Sequence, residues 1–114
     1  MLKAINKYAK PFNTTDDLDP LIDAIGDAKY VLLGESSHGT SEFYSLRAEL
    51  SKRLIKEKGF SFIAVEGDWP SCQSINQYIK GFNHSTNDVR RVLENFNRWP
   101  TWMWANQEMI GLIE

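Results

Sequence analysis

Two short apolar runs and one long amphipathic segment dominate the hydrophobic pattern of the chain. The runs are Tyr30–Leu33 and Phe60–Val65, and the second is almost continuously apolar. A continuous apolar run favours a parallel strand that is buried on both faces. Between the runs, residues 41–58 carry apolar residues at helical spacing, and Gly59 follows where a helix commonly ends. The pattern therefore predicts a right-handed parallel βαβ unit.

Further helices are predicted on both sides of this unit. Asp19-Pro20 is typical of a helix start, and Gly26 is a plausible stop for that short helix. A helix is expected between Pro70 and Gly81, and another from the capping-box pattern at residues 85–88 through about residue 95. A last helix is predicted to start at Pro100-Thr101. The expected fold class is α/β, a parallel βαβ unit flanked by helices.

The predicted elements do not complete a sheet. Two strands alone make a poor sheet, and the apolar pattern of Trp102–Glu114 has no clear stop signal. We therefore expect residues 1–114 to be the N-terminal part of a single larger domain that is truncated at its C-terminus. Such a chain would also expose an uncovered apolar face, which is open to self-association.

Composition and charge narrow the function classes. A net charge of −2 over 114 residues gives no reason to expect a nucleic-acid partner, which requires a clustered basic face. The single cysteine, Cys72, excludes an internal disulfide and suits a reducing compartment, so we expect a cytoplasmic protein. No apolar stretch is long enough to span a bilayer, so no membrane partner is expected.

The first candidate site follows the first apolar run. Glu35 and His38 lie three positions apart in a loop of small residues, so their side chains can converge. A neutral imidazole can take a proton from water near pH 7, and a nearby carboxylate stabilises the imidazolium that forms. The alternative is a loop histidine that makes only local hydrogen bonds. On the catalytic interpretation, Glu35 and His38 are a positioned acid–base pair.

Two further residues favour the catalytic interpretation. Glu66 ends the second apolar run much as Glu35 follows the first, so the two carboxylates are expected to line one crevice. Arg47 is predicted on the buried face of the long helix, where a guanidinium needs a partner. Either carboxylate could be that partner. The alternatives are a glutamate that caps the next turn and an arginine that only neutralises charge.

Aromatic residues and the absence of common motifs say less about the function of the chain. Trp69 and Trp102 are candidates for the wall of an apolar substrate pocket, although aromatic residues at helical spacing more often pack in a core. The chain has no Gly-x-Ser-x-Gly elbow, no phosphate-binding loop and no dinucleotide fingerprint. No cofactor is therefore predicted. Glu35, His38 and Glu66 could still ligate a metal, which keeps a metal-dependent hydrolase as an alternative.

Three stretches together resemble the erythromycin esterase family. They are Leu-Gly-Glu-Ser-Ser-His-Gly-Thr-Ser-Glu-Phe-Tyr at 33–44, Ala-Val-Glu-Gly-Asp-Trp-Pro at 64–70 and Phe-Asn-Arg-Trp-Pro-Thr-Trp-Met-Trp at 96–104. They occur in order, and the resemblance covers nearly all of the chain from Tyr30 onward.

The resemblance implies a function and a set of site residues. His38 would be the general base that activates water to open a macrolide lactone, a chemistry of antibiotic resistance. Glu35, Arg47 and Glu66 would be its functional partners, without an essential metal. Family members are several times longer and have a second active-site histidine beyond the position of residue 114, so this chain would carry half a site.

Three hypotheses therefore stand at the level of sequence. The first is a hydrolase of ester or lactone bonds on a small-molecule substrate, with His38 as general base. The second is a metal-dependent hydrolase, with the metal held by Glu35, His38 and Glu66. The third is a truncated, non-catalytic module that binds a ligand or a partner chain.

Overall fold

The computed structural model describes residues 2–82 and 86–114. The chain forms two compact units. One unit extends to Leu32 and the other runs from Leu33 to Glu114. In the described residues, no helix is long and apolar enough to cross a membrane.

The N-terminal unit consists of short helices. Helix α1, Leu2–Tyr8, buries none of its residues. A 3₁₀ turn at Thr15–Leu18 leads directly into α2, Asp19–Ile25, whose first turn contains the expected proline. Gly26 ends α2 with a φ of 54°, which few residues other than glycine adopt. The predicted helix is thus confirmed, although it begins at Asp19 itself.

In its described residues, the second unit contains four α-helices and one 3₁₀ turn. Helices α3, α4, α5 and α6 span Ser41–Lys58, Trp69–Ile79, Val89–Leu93 and Gln107–Ile113. Helix α3 packs against α6, and α5 packs against both α4 and α6. Their shared core consists of the buried residues Tyr44, Val89, Leu93, Phe96, Met103, Trp104, Met109, Ile110 and Ile113. This core supports the loops that precede α3 and α4.

Helix α3 follows the sequence prediction at both ends. It begins at Ser41 after Thr40 and ends at Lys58, with Gly59 in the left-handed conformation at a φ of 72°. The buried residues of α3 are Tyr44, Ala48, Leu50, Ser51 and Leu54, whereas Phe43 is only partly buried. The side of α3 that carries Tyr44 therefore packs against the core.

The predicted α/β fold class is wrong. Residues 30–33 and 60–65 form neither helix nor strand, and the described residues contain no sheet. A strand needs a neighbour for its backbone groups and layers that cover its side chains. Here Leu32 is 94% exposed and Phe62 is 69% exposed, so neither run is covered. The parallel βαβ unit is therefore absent, and the described chain is all-helical.

The helices after α3 agree with the sequence in part. Helix α4 begins at Trp69, one residue before the expected Pro70, and ends at Ile79, two residues before the expected Gly81. Asp88 caps α5 by accepting a hydrogen bond from the backbone N–H of Arg90, whereas the Ser85 end of the predicted capping box lies outside the described residues. The prediction of a single last helix from Pro100-Thr101 is wrong. A 3₁₀ turn at Thr101–Met103 is followed by a separate helix, α6, whose N-cap residue Asn106 accepts a hydrogen bond from the backbone N–H of Met109.

Candidate functional site

The first site loop, residues 34–40, holds a carboxylate between two basic side chains. Arg47 donates a hydrogen bond from Nη2 to Glu35 Oε2 at 2.6 Å. The other carboxylate oxygen, Oε1, is hydrogen-bonded to His38 Nδ1. The side chain of Glu35 is only 11% exposed, whereas that of His38 is 53% exposed. The predicted convergence of Glu35 and His38 is confirmed.

Arg47 reaches Glu35 from the second turn of α3. Residues 44, 47 and 48 share one side of this helix, so the side of α3 that enters the core carries the guanidinium with it. The Arg47 side chain is 13% exposed, and its partner is a carboxylate. The prediction that Arg47 is mostly buried and paired with an acid is therefore confirmed at Glu35.

The charges of this loop favour an ionised Glu35. Burial raises the pKa of Glu35, but the hydrogen bond from His38, the hydrogen bond from Arg47 and the charge of Arg47 together outweigh burial. The net result is a pKa below the usual range for glutamate. An ionised carboxylate only accepts hydrogen bonds, so the proton between the two groups belongs to His38 Nδ1. In neutral His38, Nε2 is then a proton acceptor.

Tyr44 anchors the backbone of the first site loop. It is 3% exposed, and its hydroxyl donates to the backbone carbonyl of His38 at 2.8 Å. Burial raises the pKa of Tyr44, and the negative charge of Glu35 raises it further. The hydroxyl therefore stays protonated at neutral pH and remains a donor.

The second site loop, residues 66–68, is held through its backbone. The indole Nε1–H of Trp104 donates to the carbonyl oxygen of Glu66 at 2.7 Å. The Glu66 side chain is exposed, and it makes no hydrogen bond or ion pair with any residue that the structure describes. Its carboxylate is thus not joined to the Glu35 cluster by direct bonding, and its predicted role stays a prediction.

A buried hydrogen bond also ties the second loop to the core. Ser71 is 2% exposed, and its hydroxyl contacts both Asp68 Oδ2 at 2.8 Å and the Asn95 carbonyl at 3.0 Å. Nearby, burial raises the pKa of the Cys72 thiol and the charge of Asp68 raises it further. Cys72 is therefore held in the thiol form, which is a weak nucleophile.

The predicted tryptophan wall is spread over the surface. Trp69, at the start of α4, is 75% exposed, and Trp102 is 44% exposed and meets the ring of Trp99 edge-on at 5.9 Å. A shallow groove of about 350 Å³ lies elsewhere, lined by Tyr78, Ile79, Asn87, Ile113 and Glu114. None of the predicted site residues lines that groove.

Sequence reasoning missed the contacts that Tyr44 and Trp104 make with the two site loops. Tyr44 precedes Arg47 by three positions, so helical spacing alone could have placed the two side chains together. Trp104 lies 38 positions from Glu66, and no local signal connects them. Only the packing of the core brings its indole to the second loop.

The described residues give little support for a metal centre. They contain no group of three or more His, Cys, Asp or Glu side chains that could hold a metal ion. Both oxygens of Glu35 are already bonded, to His38 and to Arg47. The ligand set predicted from sequence, Glu35 with His38 and Glu66, is therefore not assembled by these contacts.

Comparison with known proteins places the chain in a family. The family model for erythromycin esterase matches residues 55–114, which is just over half of the chain. A protein described as erythromycin esterase type II from Escherichia coli is 37% identical over 106 residues. That alignment covers 89% of this chain and 25% of the relative, so the chain spans about a quarter of the relative's length.

No solved structure matches the chain at a significant level. The family match and the identity both extend over the second site loop and the helices that support it. The resemblance stated from the motifs is confirmed, and the chain belongs to the erythromycin esterase family.

Proposed function

We propose that this chain carries part of the active site of an esterase, in which His38 is the general base that activates water. The observation that carries the proposal is the Glu35 carboxylate, which is bonded on one side to His38 Nδ1 and on the other to Arg47. This arrangement leaves Nε2 of a half-exposed imidazole without a partner in the described structure. Family membership supports the same class of chemistry.

The proposed reaction needs only proton transfer and addition of water. His38 Nε2 takes a proton from a water molecule while the water oxygen attacks the carbonyl carbon of an ester or lactone. The imidazolium is stabilised by the Glu35 carboxylate, which Arg47 holds in place. As the tetrahedral intermediate collapses, the C–O bond to the alkoxide breaks and the imidazolium returns the proton to the leaving oxygen.

The remaining predicted residues have supporting roles in this proposal. Glu66 offers an exposed carboxylate on the second loop, which is free to contact water or substrate. Trp69 and Trp102 are exposed aromatic side chains that suit an apolar, small-molecule ester or lactone. The single, free cysteine suits a reducing, cytoplasmic setting for this hydrolase.

The test is hydrolysis of a nitrophenyl ester and a macrolide lactone by the wild-type protein and by His38→Ala. Both are assayed as the 114-residue chain and as any longer form that its gene encodes. The variant should lose about 10²- to 10⁴-fold in rate, which is typical for removal of a general base. His84→Ala, the substitution of the chain's other histidine, is the matched control.

Three outcomes would contradict the proposal. Equal rates for the wild type and His38→Ala would remove His38 from the mechanism. Loss of the rate with chelator and its return with a divalent metal would favour the metal-dependent alternative. Absence of hydrolysis in every assayed form of the wild-type protein would favour a non-catalytic binding module.

A further inference from the structure

Two buried aromatic side chains contact the guanidinium of Arg47. The Cζ atom of Arg47 lies 5.9 Å from the centre of the Tyr44 ring and 5.8 Å from the centre of the Trp104 ring. Tyr44 and Trp104 are only 3% and 9% exposed. A guanidinium within about 6 Å of an aromatic ring is attracted to it, more strongly when water is excluded. Arg47 is therefore held by two aromatic rings as well as by Glu35.

Each of these aromatic residues also holds one site loop by its polar end. Tyr44 donates to the carbonyl of His38 at 2.8 Å in the first loop. Trp104 donates to the carbonyl of Glu66 at 2.7 Å in the second loop. The same two side chains thus contact the central cation and the backbones of both loops.

The second loop is shaped to receive the indole of Trp104. A Cβ atom on Gly67 would lie 3.1 Å from Trp104 Nε1, 3.2 Å from Trp104 Cδ1 and 2.8 Å from Cys72 Sγ. These distances are shorter than carbon atoms normally tolerate, so a larger residue at 67 would displace the indole or the loop. The close approach is an observation independent of the hydrogen bond, and it involves the same pair of elements.

We propose that Tyr44 and Trp104 are positioning residues for the esterase site, an inference that rests on the proposed function. Tyr44 sets the backbone of His38 so that Nδ1 meets Glu35 and Nε2 stays available to water. Trp104 sets the second loop relative to Arg47, and so sets where the Glu66 carboxylate can reach. Neither side chain takes part in proton transfer. Both act through Arg47 and through the loop backbones.

The experiment removes each polar end while keeping an aromatic ring. The variants are Tyr44→Phe and Trp104→Phe, with Tyr78→Phe and Trp99→Phe as controls for loss of a hydroxyl and an indole elsewhere. Imidazole ¹⁵N shifts report which nitrogen of neutral His38 carries the proton, and the chain has only two histidines to assign. Wild type and both controls should show the proton on Nδ1, whereas Tyr44→Phe should show a mixture of tautomers.

Kinetics give a second readout. In the form of the protein that hydrolyses esters, Tyr44→Phe and Trp104→Phe should lower kcat by about 10- to 100-fold, as small misplacements of catalytic groups do. KM should change by less than about 2-fold, because the substrate does not contact these side chains. The controls should keep the wild-type kcat.

A third measurement uses only the wild-type protein, so it does not depend on whether a variant folds. Exchange of the Trp104 indole proton with solvent should be markedly slower than that of Trp99, whose side chain is 83% exposed. Equal exchange of the two indole protons would overturn the role of Trp104. An unchanged His38 tautomer in a folded Tyr44→Phe variant would overturn the role of Tyr44.

The two proposals fail in different ways. If no form of the wild-type protein hydrolyses esters, the proposed function fails, while the tautomer and exchange measurements still decide whether the loops are held as described. If the variants melt at a lower temperature but keep the Nδ1 tautomer and the wild-type kcat, Tyr44 and Trp104 are structural only and the positioning proposal is rejected.

Discussion

The two site loops begin alike in sequence and differ in how the structure holds them. Each places a glutamate shortly after a short apolar run. In the first loop the Glu35 side chain is buried and bonded to Arg47 and His38. In the second loop the Glu66 side chain is exposed, and the bond that the described residues show is from Trp104 to the Glu66 carbonyl oxygen.

The difference teaches what fixes a carboxylate in place. Glu35 is held because α3 supplies a cation of opposite charge at its side, and that cation also keeps the acid ionised. Glu66 has no such partner among the described residues, so its backbone is positioned while its side chain is left to solvent. The first loop is therefore held through the side chain of its glutamate, whereas the second loop is held through the backbone of its glutamate.

The largest effect should come from removing the cation of the first loop. Arg47→Met keeps the length of the side chain but leaves a carboxylate that is 11% exposed without its charge partner. We expect the free energy of unfolding to fall by about 2 to 3 kcal/mol, measured by urea denaturation. The pKa of Glu35 should also rise, which carboxyl NMR can follow.

The matched control for Arg47 is Lys52→Met on the same helix. Lys52 pairs with Glu49 at 2.6 Å, but the two side chains are 29% and 40% exposed. Such a pair contributes less than about 1 kcal/mol. Equal losses for Arg47→Met and Lys52→Met would show that the Glu35 pair behaves as an ordinary surface ion pair.

The next effect tests the backbone anchor of the second loop. Gly67→Ala should lower the free energy of unfolding by about 1 to 2 kcal/mol, because the added Cβ atom meets Cys72 and Trp104. Gly34→Ala is the control in the first loop, since a Cβ there has no neighbour within 4 Å. Similar urea midpoints for the two alanine variants would mean that the second loop moves freely away from Trp104.

A smaller effect is expected from acid. The pKa of Glu35 is lower in the folded chain than the value of about 4.3 for an unperturbed glutamate. The unfolded state therefore binds more protons in this range, so the stabilisation is present above about pH 5 and is lost as the pH falls through the folded pKa. The free energy of unfolding of Glu35→Gln should fall less steeply with acid than that of the wild type.

The contributions of other carboxylates to the pH dependence of stability must be separated from that of Glu35. Hydrogen bonding also lowers the pKa values of Asp17, Glu57 and Glu108, so the wild-type slope has several contributions. The difference between the wild type and Glu35→Gln isolates one of them. Superimposable pH profiles would show that Glu35 is not held by charge.

The smallest effect should come from Glu66→Gln. The Glu66 side chain is exposed, and the substitution leaves unchanged the backbone carbonyl that accepts the hydrogen bond from Trp104. The free energy of unfolding should therefore stay within about 0.5 kcal/mol of the wild type. Any fall in ester hydrolysis by this variant would then report on chemistry rather than on folding. A stability loss above about 1 kcal/mol would show that the two loops are held in the same way.

Much of the first loop could be predicted from the sequence because its partners are close along the chain. Glu35 and His38 are three positions apart, and Arg47 lies on the helix that follows them directly. A charge on a face that must be buried needs a counter-charge, and Glu35 lies nearby. Tyr44 was within reach of the same reasoning, since helical spacing places it beside Arg47.

The second loop could not be predicted in this way. The wrong step was to place Phe60–Val65 in a buried strand, from which Glu66 would have pointed into a crevice shared with Glu35. An apolar run is compatible with a strand but does not supply the neighbouring strand or the covering layers. In the structure Phe62 and Ile63 are exposed, and the loop is positioned by an indole from far along the chain.

Local sequence by itself determined the limits of α3, the stop at Gly59, the pairing of Arg47 with a carboxylate and the family to which the chain belongs. These depend on backbone preferences and on contacts within one loop and its helix, which short-range patterns encode. Only the tertiary structure decided that the apolar runs stay unpaired and that Trp104 holds Glu66 by its carbonyl. Both outcomes depend on which distant surfaces meet in the core, and packing settles that by burying apolar area and satisfying polar groups together.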